Sequence, residues 1–445
     1  MKIISHITTD EKNQFKEVDF NQLLRSKKTD SVDIIVNKNV RNQEIDGFGA
    51  SFTDSSAFLI DKCLPENLKN KLMTELFDPI EGIGISAIRN PMGASDYART
   101  IYSYNDLKEG EIDVDQNNFS INHDLESILP LTKNAIAINP NIKIFASPWS
   151  APGWMKTSGE MRTGSLIPDY YESYAKYFVK FIEEYRKHGV NIYAVTPQNE
   201  PLYEPKHYPS MKFLAHEEAK FVSENLKPAF NQAEIQTKIL GYDHNWDRID
   251  YAFDLFDLAE DSFDGIAWHW YGGNAISQTR VETFFPEKEI HFTEGSGGDW
   301  IPGFSKAFEN LMRTGIDILR NNSRSMILWN MALDEENGPF VPGFGESTCR
   351  GIAKVYQKEN RYELTQDYFS LAHFSKYIQP GAFRLESDDH TKVKNVAFEN
   401  KDGSLVIVVF NDANQEHLVN IIGLVEDPLT FNLGAKTAIT IVIKK

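Results

Sequence analysis

The chain has 445 residues, enough for a large domain and a smaller one. Its 41% apolar and 12% aromatic content is typical of a well-packed globular protein, and its net charge of −18 argues against nucleic acid or an anionic membrane as a partner. No apolar run is long enough to span a membrane. The two cysteines, Cys63 and Cys349, lie far apart in the sequence, which indicates free thiols in a reducing compartment.

The N-terminal segment carries no targeting signal that we recognise. Residues 1–10 lack the apolar core of a signal peptide, so a cytoplasmic location is expected unless an export signal has been removed. Residues 1–44 are predicted to be β-rich, with a strand of mixed alternation over residues 31–37. The spacing of Cys and His residues does not indicate a metal site, and we expect no cofactor.

From residue 45 to about residue 333, short apolar strands alternate with amphipathic helices. Eight strands are predicted, over residues 45–51, 84–89, 142–147, 192–196, 238–241, 265–269, 290–293 and 325–329. Eight β/α units in one region indicate a closed (β/α)₈ TIM barrel, whose active site lies at the carboxyl ends of the strands. A doubly wound open sheet is the alternative, but Gly47-Phe-Gly49 lacks the third glycine of a phosphate-binding loop.

The pattern changes after about residue 375. Strand patterns over residues 393–398 and 405–410 flank an Asp-Gly turn, and residues 438–443 form a further strand. These features predict a small antiparallel β-sandwich over residues 375–445, attached to a barrel that occupies residues 45–374. The segment 1–44 is expected to join the sandwich, because both pieces would otherwise leave open sheet edges.

Two glutamates stand at predicted strand ends. Glu200 follows the fourth barrel strand, and two prolines bracket Gln198-Asn199-Glu200, which predicts a fixed, extended turn. Glu294 ends the seventh strand, where the chain runs into glycines. Because the strands of a barrel share one mouth, the two carboxylates are expected to meet there. Paired carboxylates are suited to the cleavage of a glycosidic bond.

Aromatic side chains occur at the mouth ends of several predicted strands, namely Trp149, Trp154, Tyr271 and Trp329. Aromatic faces stack on the C–H faces of sugar rings, while polar groups fix the hydroxyls. Any one of these tryptophans alone is better explained as a core residue, but the recurrence of aromatic residues at several strand ends favours a sugar site. For His269, a packed core role and a role in the site are equally good interpretations.

Several motifs, taken together and in order, resemble glycoside hydrolase family 30, and in particular its glucosylceramidase-like members. They are Asp46-Gly-Phe-Gly-Ala-Ser-Phe-Thr-Asp54, Ser147-Pro-Trp-Ser150, Thr196-Pro-Gln-Asn-Glu-Pro201, His269-Trp-Tyr271, Thr293-Glu-Gly295, Trp329-Asn-Met-Ala-Leu-Asp334 and His373-Phe-Ser-Lys-Tyr-Ile378. The similarity runs from about residue 45 to the C terminus. The chain differs from the lysosomal members in lacking a secretory start and paired cysteines near the N terminus.

The resemblance implies a (β/α)₈ barrel with an attached β-sandwich and retaining hydrolysis of β-glycosides. It implies that Glu200 is the acid/base and Glu294 the nucleophile. The other candidate residues comprise a substrate-binding set, Asp96, Trp149, Asn199, Tyr271 and Trp329, and two supporting residues, Arg89 and His269. In a retaining enzyme the two carboxyl groups lie about 5–5.5 Å apart, so the ionised nucleophile is expected to keep Glu200 protonated near neutrality.

The expected partner is a carbohydrate or glycoside, and the expected substrate a terminal β-glucosyl unit, as in glucosylceramidases. The alternatives are an endo-acting β-1,6-glucanase and a β-xylosidase or xylanase on the same barrel. A non-catalytic sugar-binding protein is a further hypothesis, against which the presence of both carboxylates argues. The loops 203–209 and 337–346, which should shape the leaving-group side, have no clear counterpart in the family, so the aglycone stays open. The sequence does not determine the oligomeric state.

Overall fold

The computed structural model describes residues 2–23 and 31–444. Its β-strands, numbered β1 to β20, are Lys2–Thr8, Lys16–Val18, Ser31–Glu44, Gly47–Ser51, Ala87–Pro91, Lys143–Ser147, Ile192–Val195, Lys238–Asn245, Gly265–His269, Glu289–Glu294, Ser325–Leu328, Ala332–Asp334, Ala353–Tyr356, Arg361–Leu364, Phe383–Ser387, Val393–Glu399, Leu405–Asn411, His417–Ile422, Leu429–Leu433 and Ala438–Lys444. Its α-helices, numbered α1 to α10, are Asp54–Phe58, Glu66–Phe77, Ile128–Ile138, Tyr171–Lys187, Ala215–Phe221, Lys227–Gln232, Ile249–Ala259, Ile276–Phe284, Phe304–Arg320 and Gln366–Ser375.

The eight strands β4 to β11 form a closed parallel barrel in which β11 returns to pair with β4. Each strand of the predicted barrel is present, so the TIM-barrel prediction is confirmed. Six apolar side chains from six of these strands form a separate buried cluster: Ala87, Phe145, Ala194, Leu240, Ala267 and Ile327. This cluster packs the centre of the barrel, and the polar residues of the site follow it toward the carboxyl ends of the strands.

Nine of the twelve remaining strands form one sheet, in the order β19-β18-β3-β15-β16-β17-β20-β1-β2. Strand β1 pairs antiparallel with β20, from Lys2 opposite Lys444 to Thr8 opposite Ala438, so the N-terminal segment joins the C-terminal domain as predicted. One pairing departs from the antiparallel pattern, because the first residues of β3 run parallel to β18. The long strand β3 then pairs antiparallel with β15, and its two halves thereby connect the two layers of the sandwich.

The sandwich is fixed to the barrel through α9 and α10. Arg313 on α9 forms a salt bridge with Asp412 at 2.6 Å. On α10, Nδ1 of the buried His373 lies 2.9 Å from the hydroxyl of Thr440 in β20. The two domains therefore share a polar interface as well as apolar packing.

A small three-stranded sheet, β12-β13-β14, follows the last barrel strand and was not predicted. Its strands are only three or four residues long, and β12 pairs parallel with β13. The loop between β12 and β13 contains residues 337–346, which the sequence left unaligned. Among the described residues, no helix combines the length and the apolar character needed to cross a bilayer.

Candidate active site

Glu294 is the last residue of β10 and is only 5% exposed. The register between β10 and β9 shifts just before it, which brings Glu294 opposite His269. Arg89 donates from Nη1 to Glu294 Oε2 at 2.6 Å, and the hydroxyl of Tyr271 donates to Glu294 Oε1 at 3.0 Å. Each carboxylate oxygen of Glu294 therefore has its own donor, and the side chain is held in one orientation.

Glu200 stands just beyond the end of β7, but its backbone is not extended as predicted. Its φ is 47°, in the left-handed region, which is rarely occupied by a non-glycine residue. The amide N–H of Glu200 donates to the carbonyl of Asp243 at 3.0 Å, and its carbonyl accepts from the amide of Tyr203 at 2.9 Å. These tertiary and turn bonds override the local preference of a residue before proline for extended backbone.

The fully buried ring of His269 lies between Glu200 and Asp243. Its Nδ1 is 3.1 Å from Glu200 Oε1, and its Nε2 is 3.0 Å from Asp243 Oδ1. A ring with a carboxylate at each nitrogen is bonded on both sides when it carries two protons. His269 therefore belongs to the site, not merely to the core.

Asp243 is a site residue that the sequence analysis missed. Strand β8 continues to Asn245, past the predicted end at residue 241, with a register shift between Tyr242 and His244. Tyr242 and Asp243 both have positive φ, of 73° and 56°. The turned backbone places the Asp243 carboxylate in the middle of the site, where it accepts hydrogen bonds from Arg89, Ser147, Thr196, His269 and Thr293.

The buried carboxylate of Glu218 on α5 supports this bulge from behind. It accepts from the amide of Tyr242 at 3.1 Å and from the hydroxyl of Tyr251 at 2.7 Å. Burial raises the pKa of Glu218 to about 7. A single side chain thus satisfies a backbone N–H that the bulge would otherwise leave unpaired.

Arg89, in β5, connects these groups. Its Nη2 donates to Asn199 Oδ1 at 2.8 Å and to Asp243 Oδ2 at 2.6 Å, in addition to the bond from Nη1 to Glu294. The guanidinium also lies 4.9 Å from the ring centre of Trp149. Although burial opposes the charge of Arg89, the carboxylates of Asp243 and Glu294 raise its pKa above the usual value. One buried cation therefore holds Asn199 and two carboxylates in place.

The charges of the site do not follow the expectation that Glu200 is protonated. Burial opposes ionisation of Glu200, but the hydrogen bond from His269 and the charges of His244 and His269 lower its pKa. Burial raises the pKa of Glu294 against the charges of His269 and Arg89. Burial would lower the pKa of His269, but the charges of Glu294 and Asp243 raise it to about 9. The directions of these shifts favour a proton on His269 over one on Glu200 in the ligand-free site, which differs from the expectation that Glu200 is protonated.

Two tryptophans and an aspartate form the side of the site next to Arg89. The rings of Trp149 and Trp329 stack at 4.9 Å and are 4% and 3% exposed, so both also act as core residues. Burial and the charge of Glu294 raise the pKa of Asp96 well above its ordinary value, against a hydrogen bond from Trp329. Within the described residues, the buried Oδ1 of Asp96 has no hydrogen-bond partner. Trp154 is not part of this stack; its indole N–H donates a hydrogen bond to the carbonyl of Asn105.

The two loops that the sequence left unaligned meet beside Glu200. Phe344 of the second loop packs on His207 and Tyr208 of the first, with ring centres 5.4 and 5.3 Å apart. Burial raises the pKa of Tyr208, and the charges of Asp96, Glu200 and Glu294 add to this effect, which indicates that Tyr208 faces the carboxylates of the site. The loops therefore form one wall of the mouth.

Exposed aromatic side chains surround the same opening. Tyr203, Tyr271 and Trp300 are 48%, 42% and 54% exposed. Tyr271 and Trp300 line a cavity of about 350 Å³ together with Trp246 and Trp270. Because Tyr271 also bonds Glu294, this cavity adjoins the carboxylate network. It provides open space next to the side chains that surround Glu294.

Among residues 2–23 and 31–444, two groups of side chains have donor atoms close enough to hold a metal ion: Glu200, His244 and His269 at the mouth, and Asp46, Glu289 and His291 at the opposite end of the barrel. The second group is already neutralised by cations. Lys238 Nζ lies 2.6 Å from Glu289, and Arg324 Nε lies 2.9 Å from Asp46.

A TIM barrel with paired glutamates at its mouth, each held by its own polar partners, defines a glycoside hydrolase. The glycosyl hydrolase family 30 TIM-barrel domain matches residues 45–378, and the family 30 beta sandwich domain matches residues 381–441. The chain belongs to glycosyl hydrolase family 30.

Three known proteins show how far the similarity extends. An endo-1,6-beta-D-glucanase of Trichoderma harzianum is 29% identical over 400 residues, covering 85% of this chain and 80% of its own. The lysosomal acid glucosylceramidase of Mus musculus is 30% identical over 410 residues, covering 84% and 76%. A solved endo-beta1,6-glucanase structure superposes with a TM-score of 0.90 at 30% identity, covering 100% of both chains.

Proposed function

We propose that this enzyme hydrolyses β-1,6-linked glucan within the chain, through a covalent glycosyl-enzyme intermediate. The observation that carries the chemistry is the different environment of the two glutamates. Arg89 and Tyr271 hold both oxygens of Glu294, whereas Glu200 contacts a histidine that can share a proton with it. One carboxylate is thus prepared for attack and the other for proton transfer.

In the first step Glu294 attacks the anomeric carbon and the bond to the leaving oxygen breaks. Arg89 and Tyr271 orient the attacking carboxylate of Glu294. The carboxylate loses its negative charge when the covalent bond forms. Asn199, whose Oδ1 is fixed by Arg89, and Asp96, whose Oδ1 is unpaired in the described chain, are placed to bind hydroxyls of the same sugar. A buried carboxyl oxygen without a partner favours a ligand that supplies a hydrogen bond to it.

The leaving oxygen takes its proton from Glu200, and His269 replenishes it across 3.1 Å. The proton that His269 carries in the free site therefore becomes available at Glu200 when substrate enters. In the second step Glu200 removes a proton from water, and the water oxygen displaces Glu294. Both steps invert the anomeric carbon, so the product retains the β configuration.

Similarity to two endo-1,6-glucanases, one of them along the full chain, supports β-1,6-glucan over the terminal β-glucosyl substrate expected from the sequence. The exposed Tyr203, Tyr271 and Trp300 are suited to stacking further sugar rings beyond the cleaved bond. Glucosylceramide is the second candidate, because a lysosomal glucosylceramidase is 30% identical.

The deciding experiment compares kcat/KM for four substrates: β-1,6-glucan, a glucosyl lipid, an aryl β-glucoside and an aryl β-xyloside. We expect β-1,6-glucan to be cleaved best, with internal cuts seen as a rapid fall in chain length. The aryl xyloside should be poorer than the aryl glucoside, since a site that binds a hydroxyl rejects a substrate without it. Preference for the glucosyl lipid would establish the second candidate. Faster turnover of the xyloside than of the other three would contradict both.

A further inference from the structure

We propose that Glu200, His244 and His269 form a binding site for a single zinc ion. The three donor atoms all lie within 4.8 Å of one another. Glu200 Oε1 is 3.1 Å from Nδ1 of His269 and 3.6 Å from Nδ1 of His244. Zinc bonds of about 2.0–2.2 Å in a tetrahedral arrangement separate neighbouring ligand atoms by about 3.3–3.5 Å. The two measured separations bracket that value.

His269 is already oriented as a metal ligand. Its Nε2 contacts the carboxylate of Asp243 at 3.0 Å. Metal-binding histidines usually donate their second ring N–H to such a carboxylate, which fixes the ring and makes the free nitrogen more basic. With Nε2 on Asp243, the lone pair of Nδ1 points to the place where Glu200 lies. A zinc ion there takes the position of the shared proton.

His244 provides the second, independent observation. Within the part of the chain that the structure describes, its Nδ1 is buried and has no hydrogen-bond partner. The residue is 9% exposed and follows Asp243 on the same bulge of β8. A buried nitrogen without a partner destabilises the fold unless a ligand satisfies it. The hydrolytic steps proposed above leave this nitrogen unused.

The charge around the site also favours a dication. Glu200, Asp243 and Glu294 contribute three carboxylates, and Arg89 is the one arginine that contacts them among the described residues. Two imidazoles and one carboxylate are a donor set that proteins use for zinc, whereas magnesium and calcium prefer oxygen ligands. The cluster of Asp46, Glu289 and His291 differs, because lysine and arginine side chains already occupy it.

Zinc at this site binds the carboxylate oxygen of Glu200 that faces His269. This consequence rests on the proposed role of Glu200 as the acid/base. If that role is correct, bound zinc reversibly stops hydrolysis. Zinc displaces the proton that His269 shares with Glu200, and this proton is released to solvent. A chelator that removes the ion restores the acid/base.

The test measures zinc binding to the chelator-treated full chain by calorimetry, before any assay of activity. We expect one zinc ion per chain, and binding at least about tenfold weaker in His244→Gln. The matched control is His216→Gln, which changes an exposed histidine on α5 and should bind zinc as the wild type does. Glu200→Gln, a near-isosteric change, should weaken binding to a similar degree. The visible spectrum of bound cobalt provides a second readout of a four-coordinate site in any variant that remains folded.

Saturable zinc binding that His244→Gln and Glu200→Gln leave unchanged, or no uptake by the wild type, would overturn the site. Inhibition of aryl β-glucoside cleavage is measured separately. If zinc binds in a His244-dependent manner while the metal-free enzyme cleaves no β-glycoside, the proposed function fails and the zinc site stands. If the metal-free enzyme is active and saturating zinc does not slow it, the ion is not on Glu200 and the inference is wrong.

Discussion

Arg89 and Asp243 form a buried ion pair, with 2.6 Å between Nη2 and Oδ2, at the centre of the barrel mouth. Arg89 also donates a hydrogen bond to Glu294. On the other side, His269 contacts both Asp243 and Glu200. The two candidate catalytic glutamates are therefore joined by a continuous series of charged hydrogen bonds. A change at any member is expected to affect both.

The nucleophile can be identified by trapping. Glu294→Gln keeps the size of the side chain and should fold normally while losing nearly all turnover. In the wild type, a 2-fluoro β-glucoside should form a stable adduct on Glu294, located by mass spectrometry of the digested protein. An adduct on a different residue would assign the nucleophile elsewhere.

Removal of the acid/base should depend on the leaving group. Positioned proton transfer contributes about 10²–10⁴-fold, so Glu200→Ala should slow poor leaving groups by that factor and spare good ones in the first step. Added azide should restore turnover and give the β-glycosyl azide. Equal losses for all leaving groups, or an α-azide, would contradict the role of Glu200.

Asp243→Asn should destabilise the protein and reduce kcat. Breaking a buried ion pair typically costs about 3–5 kcal/mol, and we expect the lower end, because Arg89 retains Glu294. Urea unfolding measures the change. The matched control is Asp250→Asn, which breaks an exposed pair with Arg248 and should cost about 1 kcal/mol or less. Equal stability of the two variants would show that the buried pair is not the centre of the network.

The histidine between the carboxylates predicts a pH dependence of stability. The pKa of His269 is raised from 6.5 to about 9, so its contribution is complete below about pH 6.5 and is lost as the pH rises through about 9. The difference corresponds to about 3 kcal/mol at most. His269→Gln should therefore lose less unfolding free energy than the wild type between pH 6.5 and 9.5. Parallel curves would show that His269 is neutral in the folded protein.

Glu218 is buried and supports the bulge that carries Asp243, so we expect it to act as a positioning residue. Glu218→Ala leaves the amide of Tyr242 without its acceptor, whereas the hydroxyl of Tyr251 keeps the carbonyl of Phe213. The variant should lower kcat, with a smaller effect on KM. Glu218→Gln keeps an acceptor oxygen and should restore most of the activity. If both variants lose stability but keep the kcat of the wild type, Glu218 has only a structural role.

Much of the fold follows from local patterns. Each barrel strand is a short apolar run that ends in glycine, proline or polar residues, and this punctuation is visible in the sequence. The same rule placed Glu200 and Glu294 at strand ends, and hence at one mouth. The need to cover open sheet edges predicted that the N-terminal segment joins the C-terminal domain, and the structure shows that it does so through the pairing of β1 with β20.

The conformation of Glu200 and the role of Asp243 depended on contacts between distant residues. Local rules predict extended backbone before Pro201, but the bond from the Glu200 amide to the carbonyl of Asp243 stabilises a left-handed residue. Asp243 lies beyond the predicted end of its strand, and the side chains that bond it come from β5, β6, β9 and β10 and from the residue after β7. The sequence by itself determined which strands end in carboxylates. Only the closed barrel decided which of these groups form ion pairs and exchange protons. Electrostatic interactions depend on distances in space, and the separation of two residues along the chain does not determine those distances.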